Sequence, residues 1–536
     1  MKKLTIASSL DKIFPDSKEI YKLESLSMLK NEKKAFQIAF RAEKGESISL
    51  SLHSALSEYL HFSKIKMIKG GFDRAKNADD YYLEKREYYP DLLEPTDITD
   101  FTADYDGLNA VWVQISGDSL PAGNHGICVQ LGEEKCSISI SIIDALLPKQ
   151  ELIYTNWFHT DCLMSIYGFE AFSDEYWKVT ENYLRRAVEY GMNCVLTPLF
   201  TPPLDTKVGG ERPTVQLVDV KAEGLNTYSF SFKKLDKWIE MCERCNIEYY
   251  EMSHLFTQWG ARHAPKIIAE KNGKQKQIFG WQTPASGPRY KSFIKQFAAA
   301  LTEYIDKKGI RSKCLLHISD EPAGSMKFTY GKASKIVNRN FKNFKIIDAL
   351  SSYDLYKSGL IKMPIPANDH IEPFIGNVPE LWTYYCGAQG SQYVSNRFFA
   401  MPSERNRILG LQLYKYNVQG FLHWGYNFYY SQYSKSVIDP FETADAGGKF
   451  PSGDSYVVYP GKDGMPLDSL RLHVFYDGIQ DMLALKLLES KIGYDKTLEI
   501  IEKGIDKPLT FTEYPHDARW LESVREQINT AIAENM

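Results

Sequence analysis

The sequence predicts an N-terminal antiparallel β-sandwich, then a (β/α)8 barrel, then a helical C-terminal extension, and three changes of pattern carry that prediction. Apolar residues alternate with polar ones up to about residue 148, short apolar runs alternate with amphipathic helices from about 149, and helical periodicity alone remains from about 467. A chain of 536 residues also needs more than one core, since cores stop growing near ~250–300 residues. The expected domains are 1–148, 149–466 and 467–536.

In the first part, Ala35–Phe40, Ser47–Leu52, Ala110–Ile115 and Cys136–Ile142 show the period of two that buries one face of a strand. Leu120–Gly126 reads as a turn. Asp73–Asp106, charged and rich in tyrosine, reads as a long loop reaching towards the next domain.

In the second part eight runs are strand candidates: Leu152–Phe158, Asn193–Leu199, Ile247–Met252, Cys314–Ser319, Lys345–Leu350, Ile361–Ile365, Leu381–Cys386 and Gly420–Trp424. Helices are expected between them, among them Asp174–Tyr190, Lys291–Lys308 and Glu404–Tyr416. Eight strand–helix units suggest a closed barrel. Pro364 and Pro366 weaken the sixth strand and leave a doubly wound sheet open. Two insertions, Thr201–Phe232 with a hairpin and Thr257–Pro288, follow strands and are expected over the barrel mouth. In the third part Ser469–Ser490, Lys496–Lys503 and Asp517–Glu534 are the expected helices.

Composition narrows the function. The hydrophobic fraction of 43% with 25% charged residues is that of a packed globular protein, and no apolar run is long enough for membrane insertion. Lys+Arg 64 against Asp+Glu 68 offers no basic field, so nucleic acid is not an expected partner. Met1-Lys2-Lys3 is followed by Ser8, Ser9, Asp11 and Lys12, too polar for a signal peptide, and a cytoplasmic location is expected. Of the eight cysteines, Cys194 and Cys314 fall in apolar strands, and Cys242 and Cys245 have no second pair at zinc spacing; neither metal nor cofactor is expected. Trp 9, Tyr 34 and Phe 28 make the chain rich in rings, which serve core packing or the C–H faces of sugars.

Barrel chemistry gathers where strands end. There the sequence places His159 and Asp161, Glu251 and His254, Asp320 and Glu321, Trp382, Tyr384 and Tyr385, and Trp424, Tyr426 and Asn427. Asp320-Glu321, closing the apolar strand Cys-Leu-Leu-His-Ile, is the sharpest signal, because two adjacent acids there are costly unless solvated or at work. The structural alternative is that Ser319 or Asp320 caps a following helix, with Glu321 and Pro322 in its first turn. Adjacent acids do not readily flank one glycosidic bond from opposite faces, as two-carboxylate hydrolysis requires. A 2-acetamido sugar avoids the difficulty: its amide oxygen attacks the anomeric carbon, one carboxylate orients the amide, and the neighbour is acid and base.

HISDEP, TNWFHTDCL and the run from HWGYNFYYSQYS to DPFETADAGGKFPSGDSYVVYPGKDGMPLDSLRLHVFYDGIQDMLALKLLE resemble glycoside hydrolase family 123. The resemblance implies a β-N-acetylgalactosaminidase acting on glycosphingolipid-type oligosaccharides, with Asp320 orienting the acetamido group and Glu321 as general acid/base. Trp382, Tyr384, Tyr385, Trp424 and Tyr426 are candidate walls of the sugar pocket, and His159, Asp161, His254 and Asn427 candidate hydroxyl partners. His317 is expected behind the acids, and the glycine-rich run Thr443–Lys449, with Asp454 just beyond it, as a cover near the mouth. Two rivals remain: a conventional glycosidase pairing Glu321 with Glu251 or Asp161, and a non-catalytic carbohydrate-binding protein.

Overall fold

A computed structural model describes residues 4–72, 74, 77–322 and 324–536. The alternating runs form two stacked sheets. Lys34–Ala42 pairs antiparallel with Gly107–Ile115, and Gly123–Leu131 with Glu134–Ile143. Phe36, Ile38, Phe40, Val111 and Val113 of one sheet meet Ile127, Val129, Ile138 and Ile140 of the other. The intervening positions Ala35, Ala39 and Trp112 are also buried, on the opposite face, in the core shared with the barrel's outer layer. That sheet is therefore covered on both sides. One pair departs from the antiparallel pattern: Ser25–Leu29 runs parallel to Glu134–Ile143.

The stretch read as a loop from Asp73 to Asp106 is not all loop. Asp73, Ala75 and Lys76 lie outside the described residues, but Tyr88–Pro95 is a strand paired with Leu60–Lys69. Pro90 and Pro95 hide it in the sequence. The register shifts between Lys66 and Met67, and Asp91, left unpaired by the shift, is buried against the Arg471 guanidinium at 2.7 Å. The reach to the next domain is present: Asp79 receives two guanidinium hydrogen bonds from Arg405, and the Tyr81 hydroxyl donates to Glu404.

The eight parallel strands are β1 (Ile153–Asn156), β2 (Cys194–Thr197), β3 (Tyr249–Met252), β4 (Cys314–His317), β5 (Lys345–Ala349), β6 (Met363–Ile365), β7 (Trp382–Tyr384) and β8 (Gly420–His423). Each neighbours the next in sequence except β6 and β7, and β1 neighbours β8. A doubly wound sheet would leave edges. Here the gap between β6 and β7 is bridged by Ala367 opposite Tyr384, whose N–H donates to the Pro366 carbonyl at 3.1 Å. Pro364 is accommodated in a three-residue strand beside β5. Helices Asp174–Glu189 and Pro288–Lys308 lie where expected, the first capped by Ser173 and the second opened by its proline. The expected helix Glu404–Tyr416 is broken at Ile408 into Ser403–Arg407 and Leu409–Lys415.

Both insertions carry hairpins, Asp219–Ala222 with Tyr228–Ser231 and Ile267–Lys271 with Lys274–Phe279, which join into one four-stranded sheet. After the barrel the chain returns to the first domain: Pro466–Ser469 pairs with Tyr88–Pro95 and with Val458–Pro460, extending the larger sheet. Ser469 then caps the helix Leu470–Ile492, which crosses the barrel helix Leu409–Lys415 closely. A Cβ on Gly410 would lie 1.9 Å from the Gly478 carbonyl oxygen, so only glycine permits that crossing. The last helix, Ala518–Glu534, lies on the sandwich, where Asn529 donates to Ser27. No helix among the described residues is long and apolar enough to cross a membrane.

Candidate active site

A cavity of about 660 Å³ opens at the C-terminal ends of the barrel strands, with Trp157, Asp320, Glu321, Tyr384, Leu422 and Trp424 in its walls. Tyr384 and Leu422 lie in strands, and the other four lie just past strand ends. Trp382 and Tyr384 both face inward from β7, but only Tyr384 reaches the mouth. Trp382 lies below, in the barrel core, where its ring fills the space that a Cβ on Gly420 would occupy.

Asp320 and Glu321 lie beyond the end of β4 in irregular backbone, and the next α-helix begins only at Lys327. The helix-capping alternative therefore fails. Ser319 instead donates its hydroxyl to the Thr257 carbonyl at 2.7 Å. Glu321 has φ +41°, in the left-handed region that side chains with a Cβ rarely adopt, and its neighbours hold it there. The Tyr384 hydroxyl donates to Glu321 Oε1 at 2.6 Å, and the Trp259 N–H donates to the Asp320 carbonyl at 3.1 Å. Burial raises both carboxyls above the usual range, and the charge of Glu321 raises Asp320 further.

Beneath the pair is a braced histidine. His317 Nε2 meets Glu251 Oε1, and Nδ1 meets Asp348 Oδ1 at 3.1 Å. Burial alone would lower its pKa, but hydrogen bonds to Asp348 and Glu251, and their charges, raise it to about 10. A buried imidazolium results, and its charge opposes the upward shift of Asp320. Asp348 also accepts the Ile318 N–H at 3.0 Å and the Tyr330 hydroxyl, so it fixes the chain just before the acids. Glu251 accepts the Trp157 indole N–H at 2.7 Å and the Thr155 hydroxyl.

The remaining sequence candidates separate. Trp424 lines the cavity and donates its indole N–H to Asp454 at 3.1 Å. Tyr385 faces outward and packs on Phe421 and His423. Tyr426 stacks on Phe158 and donates to the Tyr183 carbonyl. Asn427 is consumed by the backbone of His159, accepting its N–H and donating to its carbonyl. Asp161 forms a two-bonded ion pair with Arg212, and His159 lies against the same guanidinium; burial and then that cation lower His159 to about 3, leaving it neutral. His254 stacks on His317 at 4.3 Å, and burial and the His317 charge keep it neutral. Trp382, Tyr385, Tyr426, Asn427, Asp161, His159 and His254 thus do not line the cavity. Tyr426, Asn427, Asp161 and His159 are engaged by hydrogen bonds to neighbouring segments, whereas Trp382, Tyr385 and His254 are packed against other rings or in the core.

Sequence reasoning missed Asp205 and assigned no site role to Asp454, both in the cavity wall. Burial raises them to about 6 and about 7. Asp205 lies in the first insertion, and Lys449, Phe450, Pro451 and Asp454 come from the end of the glycine-rich run read as a cover and the residues just beyond it. Only the fold brings these loops together. Among the described residues no group of three or more His, Cys, Asp or Glu is arranged to hold a metal ion.

An eight-stranded parallel barrel with a sugar-sized cavity at its C-terminal face, walled by rings and by an acid pair, is the architecture of a glycoside hydrolase. The model of the family "Glycoside hydrolase 123, catalytic domain" matches residues 157–488, and the chain belongs to glycoside hydrolase family 123. It is similar in fold, with a TM-score of 0.76 at 14% identity, to a family 123 glycoside hydrolase from Clostridium perfringens studied for glycolipid glycan hydrolysis, over 100% of this chain and 98% of that one. An FMN-binding β-glucuronidase from Facaelibacterium prausnitzii matches at a TM-score of 0.31 and 8% identity over 84% of this chain and 59% of its own, a similarity too low to carry an argument. No curated protein matches in sequence.

Proposed function

We propose that the enzyme is a retaining exo-β-N-acetylgalactosaminidase that removes terminal β-linked GalNAc from glycosphingolipid-type oligosaccharides by substrate-assisted catalysis. The observation that carries this reading is the acid pair on one wall, together with the engagement elsewhere of the two distant acids that a conventional pairing would need. Glu251 is fully buried and bonded through both oxygens, and Asp161 is held by Arg212. The carbohydrate's own 2-acetamido oxygen is then the nucleophile.

Two adjacent buried acids do not both ionise readily, so the pair shares a proton. Burial raises both carboxyls, so one of the two keeps that proton. A bound acetamido N–H donates to the Asp320 carboxylate, and the His317 charge stabilises the same anion; both shift the proton to Glu321. Glu321 then protonates the leaving oxygen as the amide oxygen attacks the anomeric carbon. Asp320 offsets the positive charge of the oxazolinium that forms. Deprotonated Glu321 next takes a proton from water, which opens the oxazoline from the face vacated by the leaving group, and configuration is retained.

Hydrolysis of matched 4-nitrophenyl glycosides tests the reading. Turnover is expected for the β-N-acetylgalactosaminide and not for the β-galactoside, with tight inhibition by the GalNAc-thiazoline. Covalent labelling of a carboxylate by a 2-fluoro glycoside, with indifference to the thiazoline, would establish a protein nucleophile instead, with Asp205 and Asp454 as its candidates.

A further inference from the structure

Two large apolar side chains at the mouth are exposed where most others are covered: Trp259 at 37% and Phe72 at 42%, and both line the cavity that holds the acid pair. They come from different domains. Phe72 belongs to the loop after the sandwich strand Leu60–Lys69, and Trp259 to the loop after β3. Neither is loosely attached. The Phe72 N–H donates to Asp445 at 2.8 Å, and its carbonyl accepts the Ser452 N–H at 2.6 Å. Trp259 is tied through its N–H to the Asp320 carbonyl, and its ring meets Tyr433 edge to face at 5.8 Å. Tyr433 is in turn fixed by its N–H on Asp205 at 2.8 Å.

The backbone under Trp259 is strained, with φ +55° at Trp259 and +53° at Ala261. Holding an exposed indole in that conformation costs the folded protein stability, and strain of this kind collects at ligand sites. The geometry points to Trp259, with Phe72, as the platform for the sugar next to the scissile bond on the leaving-group side. This inference rests on the exo-acting reading above. In an exo-enzyme the terminal sugar fills the enclosed end, and what extends past the rim into solvent is the leaving group, so rings more than a third exposed meet that part. Flat rings match the C–H face of a pyranose. Their neighbours in the wall, Asn77, Asp205 and Lys449, supply hydroxyl partners and suit a neutral sugar rather than a hydrocarbon chain.

The test compares wild type with Trp259→Ala, Trp259→Phe and Phe72→Ala. For Trp259→Ala, kcat/KM on a GalNAcβ1-3Gal disaccharide is expected to fall about tenfold, as loss of one stacking contact of ~1.4 kcal/mol implies, with Trp259→Phe between it and wild type. Inhibition by the thiazoline, which occupies only the enclosed end, should not change. A second measurement does not need hydrolysis: saturation-transfer NMR with lactose as a neutral probe should detect binding to wild type and not to Trp259→Ala. Equal losses for disaccharide and thiazoline, unchanged kinetics, or lactose binding that survives the substitution would each overturn the platform. If wild type hydrolyses no N-acetylhexosaminide, the catalytic reading fails, and the lactose measurement still decides the platform.

Discussion

Glu321 combines a left-handed backbone, a hydrogen bond from Tyr384 and a carboxyl raised by burial, a combination suited to a group that must keep its proton until the leaving group departs. Glu321→Gln is expected to lower kcat by about 10²- to 10⁴-fold on a disaccharide and much less on a 4-nitrophenyl glycoside, whose leaving group needs little protonation. Steady-state kinetics on the two substrates check this, and equal losses would remove Glu321 from the acid role. His317 makes a different prediction. Its folded pKa of about 10 lies above the ordinary 6.5, so its stabilising contribution is complete below 6.5 and is lost as pH rises through about 10. Denaturant midpoints measured across that window should fall in wild type. His317→Asn should flatten this slope and, by leaving Glu251 and Asp348 buried without their cation, destabilise the fold by about 3–5 kcal/mol.

Among the elements, the first insertion shows how a loop becomes a wall. Arg212 is buried, forks onto both oxygens of Asp161 beyond β1, and donates to the Leu204 carbonyl, so it clamps the segment that bears Asp205. Arg212→Met should free that segment. Limited proteolysis is expected to cut within residues 201–232 of the variant and not of wild type, and Arg212→Lys should not restore protection, because an ammonium group cannot form the fork. The sequence presents Asp161 as a hydroxyl partner because strand-end acids often are. Its guanidinium partner lies 51 residues away, and no local pattern announces that pairing.

In the molecule as a whole, four buried charges join the three parts. Arg525 of the last helix meets Glu32 of the sandwich and, at 2.9 Å, Asp481 of the long helix, which also accepts Arg407 of the barrel at 2.7 Å. Burial opposes ionisation of Asp481, but Arg407 and then Lys34 outweigh it and hold the carboxyl near 2. With the strands Val458–Pro460 and Pro466–Ser469 continuing the sandwich sheet, sandwich and barrel should unfold in one calorimetric transition. Arg525→Met should lower stability by about 3 kcal/mol through the stranded Glu32 carboxylate, with that single transition retained. Two separated transitions in wild type would contradict this account.

The sequence by itself determined the order of the architecture, the eight barrel strands and the position of Asp320-Glu321, because each is written in contiguous residues. A period of two marks a strand, and an acid pair after an apolar run marks its end. Tertiary structure alone decided which rings reach the cavity. Tyr384 and Tyr385 are neighbours in sequence, yet one faces the acids and the other the outer layer, a difference of a single pleat. It also decided that Asp205, Asp454, Trp259 and Phe72 share one cavity. Closing a barrel gathers loops hundreds of residues apart at one mouth, and the side chains that then meet are chosen by packing, which no local pattern records.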